Sequence, residues 1–274
     1  RAIRDVYKRQ GISTWNNNWY YVDSDGVPYT VSNPSHKIWR KHQTFVWDDE
    51  LDDKGFLKDF NGDDDGFNWA VASAGSETLQ SNPKWKNVGT ISKYNHYSSP
   101  VEITDINGNK ASTKYSDEES KVIATANTGS GGMIYSGGEY ADDPQVYMAS
   151  WMRNTSKVHT GRYGITIPSG TYYYFYATLP KENFKSGNYK VSLWAHKDSY
   201  QNLRIKEYGI SNTSKQFNGE LVFAGDWVLM NHYFYAYNSG YSDVDIIIHG
   251  LSNTSNSYID DFRMHALEAS MNSY

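Results

Sequence analysis

The segment Tyr258-Ile259-Asp260-Asp261-Phe262-Arg263-Met264 carries the residue most in need of a chemical explanation. Read as an extended strand, alternate residues share a face, which places Tyr258, Asp260, Phe262 and Met264 together. Three of these are apolar or aromatic and one is a carboxylate. A bare buried charge is too costly to keep, so the pattern predicts a bound cation neutralising Asp260, with hydrogen bonds from backbone amides or Arg263, or a bulge that turns it outward, as the alternatives. The other assembly with chemical capacity is a set of aromatics with polar neighbours: Trp151, Trp194 and Tyr200, beside His196 and Asn202. Aromatic faces flanked by amides and imidazoles suit sugar rings. Trp194 is predicted to lie opposite Val191 and Leu193, on the wetter face of its strand, where it would meet either a glycan or a neighbouring domain.

Catalysis finds little support in the residue patterns. There is no Gly-x-Ser-x-Gly, no His-Glu-x-x-His and no phosphate-cradling loop. The eight histidines are scattered without ligand spacing. Asp48, Asp49, Glu50, Asp52 and Asp53 fall in a turn, where solvated acids are the default. Asn61, Asp63, Asp65 and Gly66 imitate the opening of a calcium loop. The twelfth position is Ala72 where a bidentate Glu is needed, so an acidic surface turn is expected. The expectation is a chain that is not an enzyme.

These residues must be positioned by strands. Aromatics make up 16% of the 274 residues, with 24 Tyr and 9 Trp, and long amphipathic helical runs are missing, which favours an all-β fold. Net charge is −5 with no basic stripe, which argues against nucleic acid. Cysteine is absent, which excludes disulfides, thiol catalysis and Cys-ligated zinc. No run of 18 apolar residues suggests a membrane span.

Strands are predicted in the first half at 19–22, 44–47, 67–71, 88–97, 100–105, 110–115 and 120–127. The second half offers 161–167, 172–179, 188–196, 202–208, 220–223, 226–237, 244–249 and 258–265, with one helical turn in 142–151. Regular short strands separated by turn residues predict a sandwich or jelly roll rather than βαβ units. Tyr189, Val191, Leu193 and Ala195 alternate with Lys190, Ser192, Trp194 and His196. Val244, Ile246 and Ile248 likewise oppose Asp243, Asp245 and His249, with Ile247 out of pattern. Trp227 is expected to pack in a core, and the run Tyr172-Tyr173-Tyr174-Phe175-Tyr176 to be structural.

Residues Asp5-Val6-Tyr7-Lys8-Arg9-Gln10 resemble a translated sequencing adapter, so 1–10 are set aside as an artefact of a metagenomic fragment. The second half resembles the galactose-binding-like jelly rolls found among carbohydrate-binding modules. The resemblance rests on Ser136-Gly137-Gly138-Glu139, His159-Thr160-Gly161-Arg162-Tyr163, Gly187-Asn188-Tyr189-Lys190-Val191-Ser192-Leu193-Trp194-Ala195, Gly225-Asp226-Trp227 and Tyr258-Ile259-Asp260-Asp261. It implies a structural calcium linking the first and last strands. Glu139 and Asp260 would be its carboxylates, with backbone carbonyls around Lys157–Gly161 completing an oxygen shell. Residues 37–128 resemble the repeat-bearing segments of very large secreted bacterial proteins of the RHS/YD-repeat type. That likeness rests on Trp39-Arg40, Thr44-Phe45-Val46-Trp47, Pro100–Gly108 and Lys121-Val122-Ile123-Ala124.

The expected organisation is therefore a β-rich, repeat-like region over 11–128, a jelly-roll β-sandwich over 129–268, and the start of a following segment at 269–274. The expected role is a non-catalytic structural or adhesive module of a large secreted or cell-surface protein, with glycan binding as a further capacity. A carbohydrate-binding module attached to a polysaccharide-degrading enzyme is the alternative. Expected partners are carbohydrate and neighbouring domains of the same polypeptide.

Overall fold

Period-two alternation of apolar and polar side chains dictates strands that bury one face, and that is how the chain folds. The computed structural model describes residues 10–17, 19–22, 28–30, 38–62, 65–69, 80, 82–95, 97–116, 121–139, 142–143, 145–170, 175–181, 184–238 and 242–273. Residues 1–9, 63–64, 70–79 and 172–174, which include part of the acidic loop and of the tyrosine run, lie outside them. The chain divides into two compact units, one of 1–22 with 28–110 and one of 23–27 with 111–274.

In the first unit, β1 (Gly11–Asn16), β4 (Arg40–Trp47), β5 (Trp85–Tyr94) and β6 (Pro100–Asp105) are antiparallel neighbours in that order. A two-stranded ribbon pairs β2 (Tyr20–Val22) with β3 (Pro28–Thr30). Ile12, Phe45, Trp47, Phe60, Phe67 and Trp85 form its core. The rings meet edge to face, for example Trp47 and Trp85 at 5.4 Å, the arrangement that aromatic quadrupoles favour. The strand expected to start at Phe67 does not form over residues 67–69.

The second unit is a β-sandwich. Its strands are β7 (Lys110–Tyr115), β8 (Val122–Ala126), β9 (Met133–Ser136), β10 (Asp142–Asp143), β11 (Val146–Met148), β12 (Arg153–Asn154), β13 (Gly164–Ile167), β14 (Phe175–Leu179), β15 (Gly187–His196), β16 (Leu203–Tyr208), β17 (Ser214–Lys215), β18 (Val222–Ala224), β19 (Trp227–Ala236), β20 (Val244–Gly250), β21 (Ser257–Ala266) and β22 (Met271–Ser273). One layer runs β10-β11-β14-β20-β16-β17; the other runs β12-β13-β21-β15-β19-β18, with β9 also on β21. From β14 to β16 and from β19 to β21 the chain crosses between layers at every step, the connectivity of a jelly roll. The expected helical turn in 142–151 is instead two short strands followed by a 3-10 turn at Ser150–Met152.

The inner faces of both layers fill one core. Phe175, Ala177, Leu179, Leu203, Ile205, Val244, Ile246 and Ile248 come from one, and Val191, Leu193, Ala195, Val228, Met230, Ile259, Phe262 and Met264 from the other. Phe175 and Phe262 meet across it at 5.1 Å. The alternation anticipated on β15 and β20 is thus realised. Outside this core, β22 pairs with β8. Ala124, Ala126, Met133 and Tyr135 form a small separate cluster beneath Ile123 and Met271.

One expectation about β21 is corrected. Tyr258, Asp260, Phe262 and Met264 do not share a face. On β15, Ser192 pairs with Arg263 and Trp194 with Asp260, so Leu193 faces two residues, Asp261 and Phe262. This is a β-bulge, and Asp261 adopts φ +50° within it. The extra residue reverses the phase: Ile259 points into the core before the bulge, and Phe262 and Met264 after it. Asp260 is displayed on the outer face, yet it is completely buried there.

Candidate functional site

The cover over Asp260 follows from how β21 shares its edge. β13 pairs with Ser257–Ile259 and β9 with Phe262–His265, leaving Asp260 and Asp261 at the gap between the two partners. The segment leading into β13 fills that gap. Asp260 Oδ2 accepts the backbone N–H of His159 at 2.8 Å and of Thr160 at 3.1 Å, and Oδ1 accepts that of Asp261 at 2.7 Å. Glu139, just past β9, reaches the same segment: its Oε1 accepts the N–H groups of Arg162 and Tyr163. Gly161 has φ +72°, and any Cβ there would collide with Glu139 Oε1.

Asp261 meets the side chains of His159 and Thr160 and gathers three donors. Oδ1 accepts the hydroxyls of Tyr135 at 2.8 Å and Thr160 at 3.0 Å, and Oδ2 lies 2.9 Å from His159 Nδ1. Burial and the neighbouring Asp261 push the Asp260 carboxyl up to about 7, against the three amide hydrogen bonds. Burial, with Asp261 beside it, also raises the Tyr135 phenol well above its ordinary value. Glu139 and Asp260 thus both hold the 159–163 segment through its N–H groups, with Gly161 against Glu139, whereas the contacts of Lys157 are to Asn154, His196 and Asp198.

The two carboxylates are of the type a hard cation takes, and in this structure their oxygens are met by backbone N–H groups. Glu139, just past β9, and Asp260 on β21 both reach the 159–163 loop, where each accepts backbone N–H groups, and among the described residues Asp260 has no ion-pair partner. Among those residues no three His, Asp or Glu side chains cluster as a complete metal-binding group. A cation here would therefore need the loop carbonyls as well.

The aromatics singled out in the sequence take varied places. Trp194 lies directly opposite Asp260 on the outer face, half-buried, and the His159 imidazole stacks on it at 4.4 Å and 20°. Trp227 packs edge-on against His159 and His196 on that same outer face, not in the sandwich core. His196 is buried, with Nε2 3.0 Å from Lys157 Nζ. Burial, then the Lys157 charge, hold its pKa below the ordinary value. Tyr200 packs against the core and meets Phe223 edge to face, and the Asn202 amide reaches the Ser255 hydroxyl. Trp151 projects from the 3-10 turn, 59% exposed.

A second site emerges that the sequence did not disclose. On the outer face of the other layer, Tyr176, Tyr208, Asp245 and Ile247 line a shallow, open depression of about 320 Å³. The register explains it. Tyr147, Tyr176, Ile247 and Lys206 form one row across β11, β14, β20 and β16; Thr178, Asp245 and Tyr208 form the next.

Tyr147 and Tyr176 stack at 5.0 Å with planes 18° apart, which leaves the opposite ring face of Tyr176 turned along the row toward Ile247. Tyr208 rises from β16, 49% exposed, with the Lys206 ammonium 5.6 Å from its ring centroid. At about 4.8 Å per strand, the walls on β14 and β16 stand roughly 10 Å apart. Two van der Waals contacts of about 3.5–4 Å leave room for one saturated ring between them. Thr178 donates its hydroxyl to Asp245 Oδ1 at 2.7 Å and fixes the carboxylate in the floor. Ile247, out of pattern in the sequence, is the apolar base of this cleft.

No family model matches the chain, and no curated protein matches it. Among solved structures, one similar chain is the CBM22-1 xylan-binding domain of Paenibacillus barcinonensis Xyn10C. The two are 13% identical over 51% of this chain and 88% of that one, at a TM-score of 0.31. Another is the C-terminal family 22 carbohydrate-binding module of Clostridium thermocellum Xyn10B, 15% identical over 50% of this chain and 87% of that one, at 0.31. TmCBM61 in complex with β-1,4-galactotriose is 17% identical over 49% of this chain and 88% of that one, at 0.27. At such scores these likenesses do not bear on what this chain binds.

Proposed function

We propose that the second unit is a non-catalytic glycan-binding module whose ligand lies in the cleft on the β11-β14-β20-β16 face. The carrying observation is the conjunction of an aromatic wall at Tyr176, a second at Tyr208, an apolar base at Ile247 and a fixed acceptor at Asp245 around one depression. Aromatic faces take the C–H faces of a sugar ring, and the carboxylate takes its hydroxyls. The setting we infer is an extracellular or cell-surface protein that also carries the β-rich first unit. The RHS/YD-repeat reading of that unit and the attached-enzyme alternative belong to the same setting.

The first test is affinity electrophoresis of the whole chain through gels containing soluble polysaccharides, followed by calorimetry. Tyr176→Ala and Tyr208→Ala should each lower affinity about tenfold or more, the scale of one lost buried aromatic contact. Polysaccharide binding that survives both substitutions would overturn the assignment of the cleft.

The role proposed for the β21 gap is a structural calcium site. Glu139 and Asp260 would supply carboxylate oxygens and the backbone around Lys157–Gly161 carbonyl oxygens. A bound calcium would supply positive charge that the acids otherwise lack, and would fasten β9, β21 and the segment before β13 to one another. It has no part in holding the glycan.

A further inference from the structure

We propose that the cleft is selective for neutral over acidic pyranosides, and that Asp245 enforces the selection. The inference rests on the glycan-binding reading of the cleft and adds the charge class of the ligand. Asp245 is half-buried in the floor between Tyr176 and Tyr208, and Thr178 engages only one of its oxygens. Among the described residues the neighbouring cations are engaged elsewhere, Lys206 near the Tyr208 ring and Arg204 on backbone carbonyls. The cleft thus presents an acceptor that is complete only when a ligand donates to it. Sugar hydroxyls do so; a uronate or sulfate brings a second negative charge against an unpaired one, which like-charge juxtaposition penalises heavily.

The cations of β16 leave Asp245 to the ligand. Lys206 pairs directly with Ile247 across the floor, and Arg204 pairs with His249 one row away on the same strand. The Arg204 guanidinium is turned onto the carbonyls of Gln201 and Leu203, and the Lys206 ammonium sits near the Tyr208 ring. Neither cation reaches Asp245. The Tyr176 phenol is lifted above its ordinary value by burial, then by Asp245 and Tyr147, which places that hydroxyl within the field of the same carboxylate. A neutral ring bearing hydroxyls along one edge meets no opposing charge: its faces contact Tyr176 and the β16 wall, and its edge donates to Asp245.

The experiment uses the whole chain in affinity gels. Soluble glucans, xylan, galactan and mannan form the neutral arm, and polygalacturonate, alginate and heparin the acidic arm. Tyr208→Ala locates any binding in the cleft, and circular dichroism verifies that each variant folds. The expected result is binding confined to the neutral arm. Asp245→Asn should weaken it roughly 10- to 100-fold, the scale of a lost hydrogen bond to a charged group, while narrowing the gap between the arms. Acidic polymers binding as tightly as neutral ones through Tyr208 would overturn the inference and leave the glycan-binding reading standing. Neutral binding indifferent to Asp245→Asn would do the same. Absence of binding in both arms would overturn the reading itself, and the inference with it.

Discussion

Tyr147 stands directly behind Tyr176, its ring 5.0 Å away and nearly parallel, on the side that faces away from the Ile247 floor. It is a buttress: it fixes the plane of the wall that the ligand would touch without touching the ligand. Tyr147→Ala should therefore reduce glycan affinity by a factor of about 3–10, the scale of one aromatic pair at 0.5–1.5 kcal/mol. Tyr147→Phe should keep the stack and the affinity. Calorimetric titration of the three proteins tests this; equal affinities for wild type and the Ala variant would remove the buttress.

Trp194 has a different assignment. With His159 on its face and Asp260 opposite, it holds the loop over the β21 gap. Trp194→Ala is expected to lower the melting temperature by destabilising this cover, by about 2–4 kcal/mol. Polysaccharide affinity at 20 °C should stay unchanged. A variant that melts normally but no longer binds glycan would move the ligand site to this face.

Calcium should reveal itself thermodynamically. At a concentration 100-fold above its dissociation constant a ligand of the native state adds about 2.7 kcal/mol. For a unit of this size that is roughly 5–10 °C in melting temperature. Scanning calorimetry with calcium and then with chelator should show that difference in the wild type. It should be missing in Asp260→Asn and reduced in Glu139→Gln. A wild type indifferent to chelator would sink the site.

Acid should weaken the second unit through a pair that joins the two layers. Glu207 on β16 and His232 on β19 are buried and 2.8 Å apart, with Lys215 2.7 Å from the other oxygen of Glu207. Burial pushes Glu207 up, but the hydrogen bonds from Lys215 and His232 prevail and hold it below its ordinary 4.5. Burial holds His232 below 6.5, against the pull of Glu207. In both cases the unfolded chain binds its proton more readily. The stabilisation is whole above pH 6.5, declines below it as the unfolded histidine protonates, and falls further below pH 4.5 as the unfolded glutamate does. His232→Gln should flatten the upper part of that acid limb in melting temperature against pH. The opposing contribution of Asp260 is common to both proteins and cancels in the comparison. Parallel limbs would contradict the assignment.

The layers of the sandwich were legible because β15 and β20 alternate cleanly, and burial of one face is all that alternation needs to state. The loop under Asp260 was legible in part: a carboxylate amid apolar neighbours signalled an unusual environment. The bulge at Asp261 left no such mark, since the positive φ belongs to an Asp rather than a Gly, and the inferred face was wrong by one residue. The cleft was illegible for a related reason. Its residues come from β14, β20 and β16, which are adjacent only through long-range pairing. Tyr176 stood in a run of aromatics with no visible orientation. Ile247 was the one clue, an apolar residue on a polar face, and it needed its neighbours across the sheet to acquire meaning.

The pairing of β8 with β22 is antiparallel, with Ala124 opposite Ser273 and Ala126 opposite Met271. Residues 121 and 273 therefore sit at the same end of the ladder. Traction applied between them loads that ladder one hydrogen-bonded rung after another instead of all rungs together. This small strand pair would peel open at low force, exposing the Met133–Tyr135 face beneath it. The sandwich core behind would still be intact.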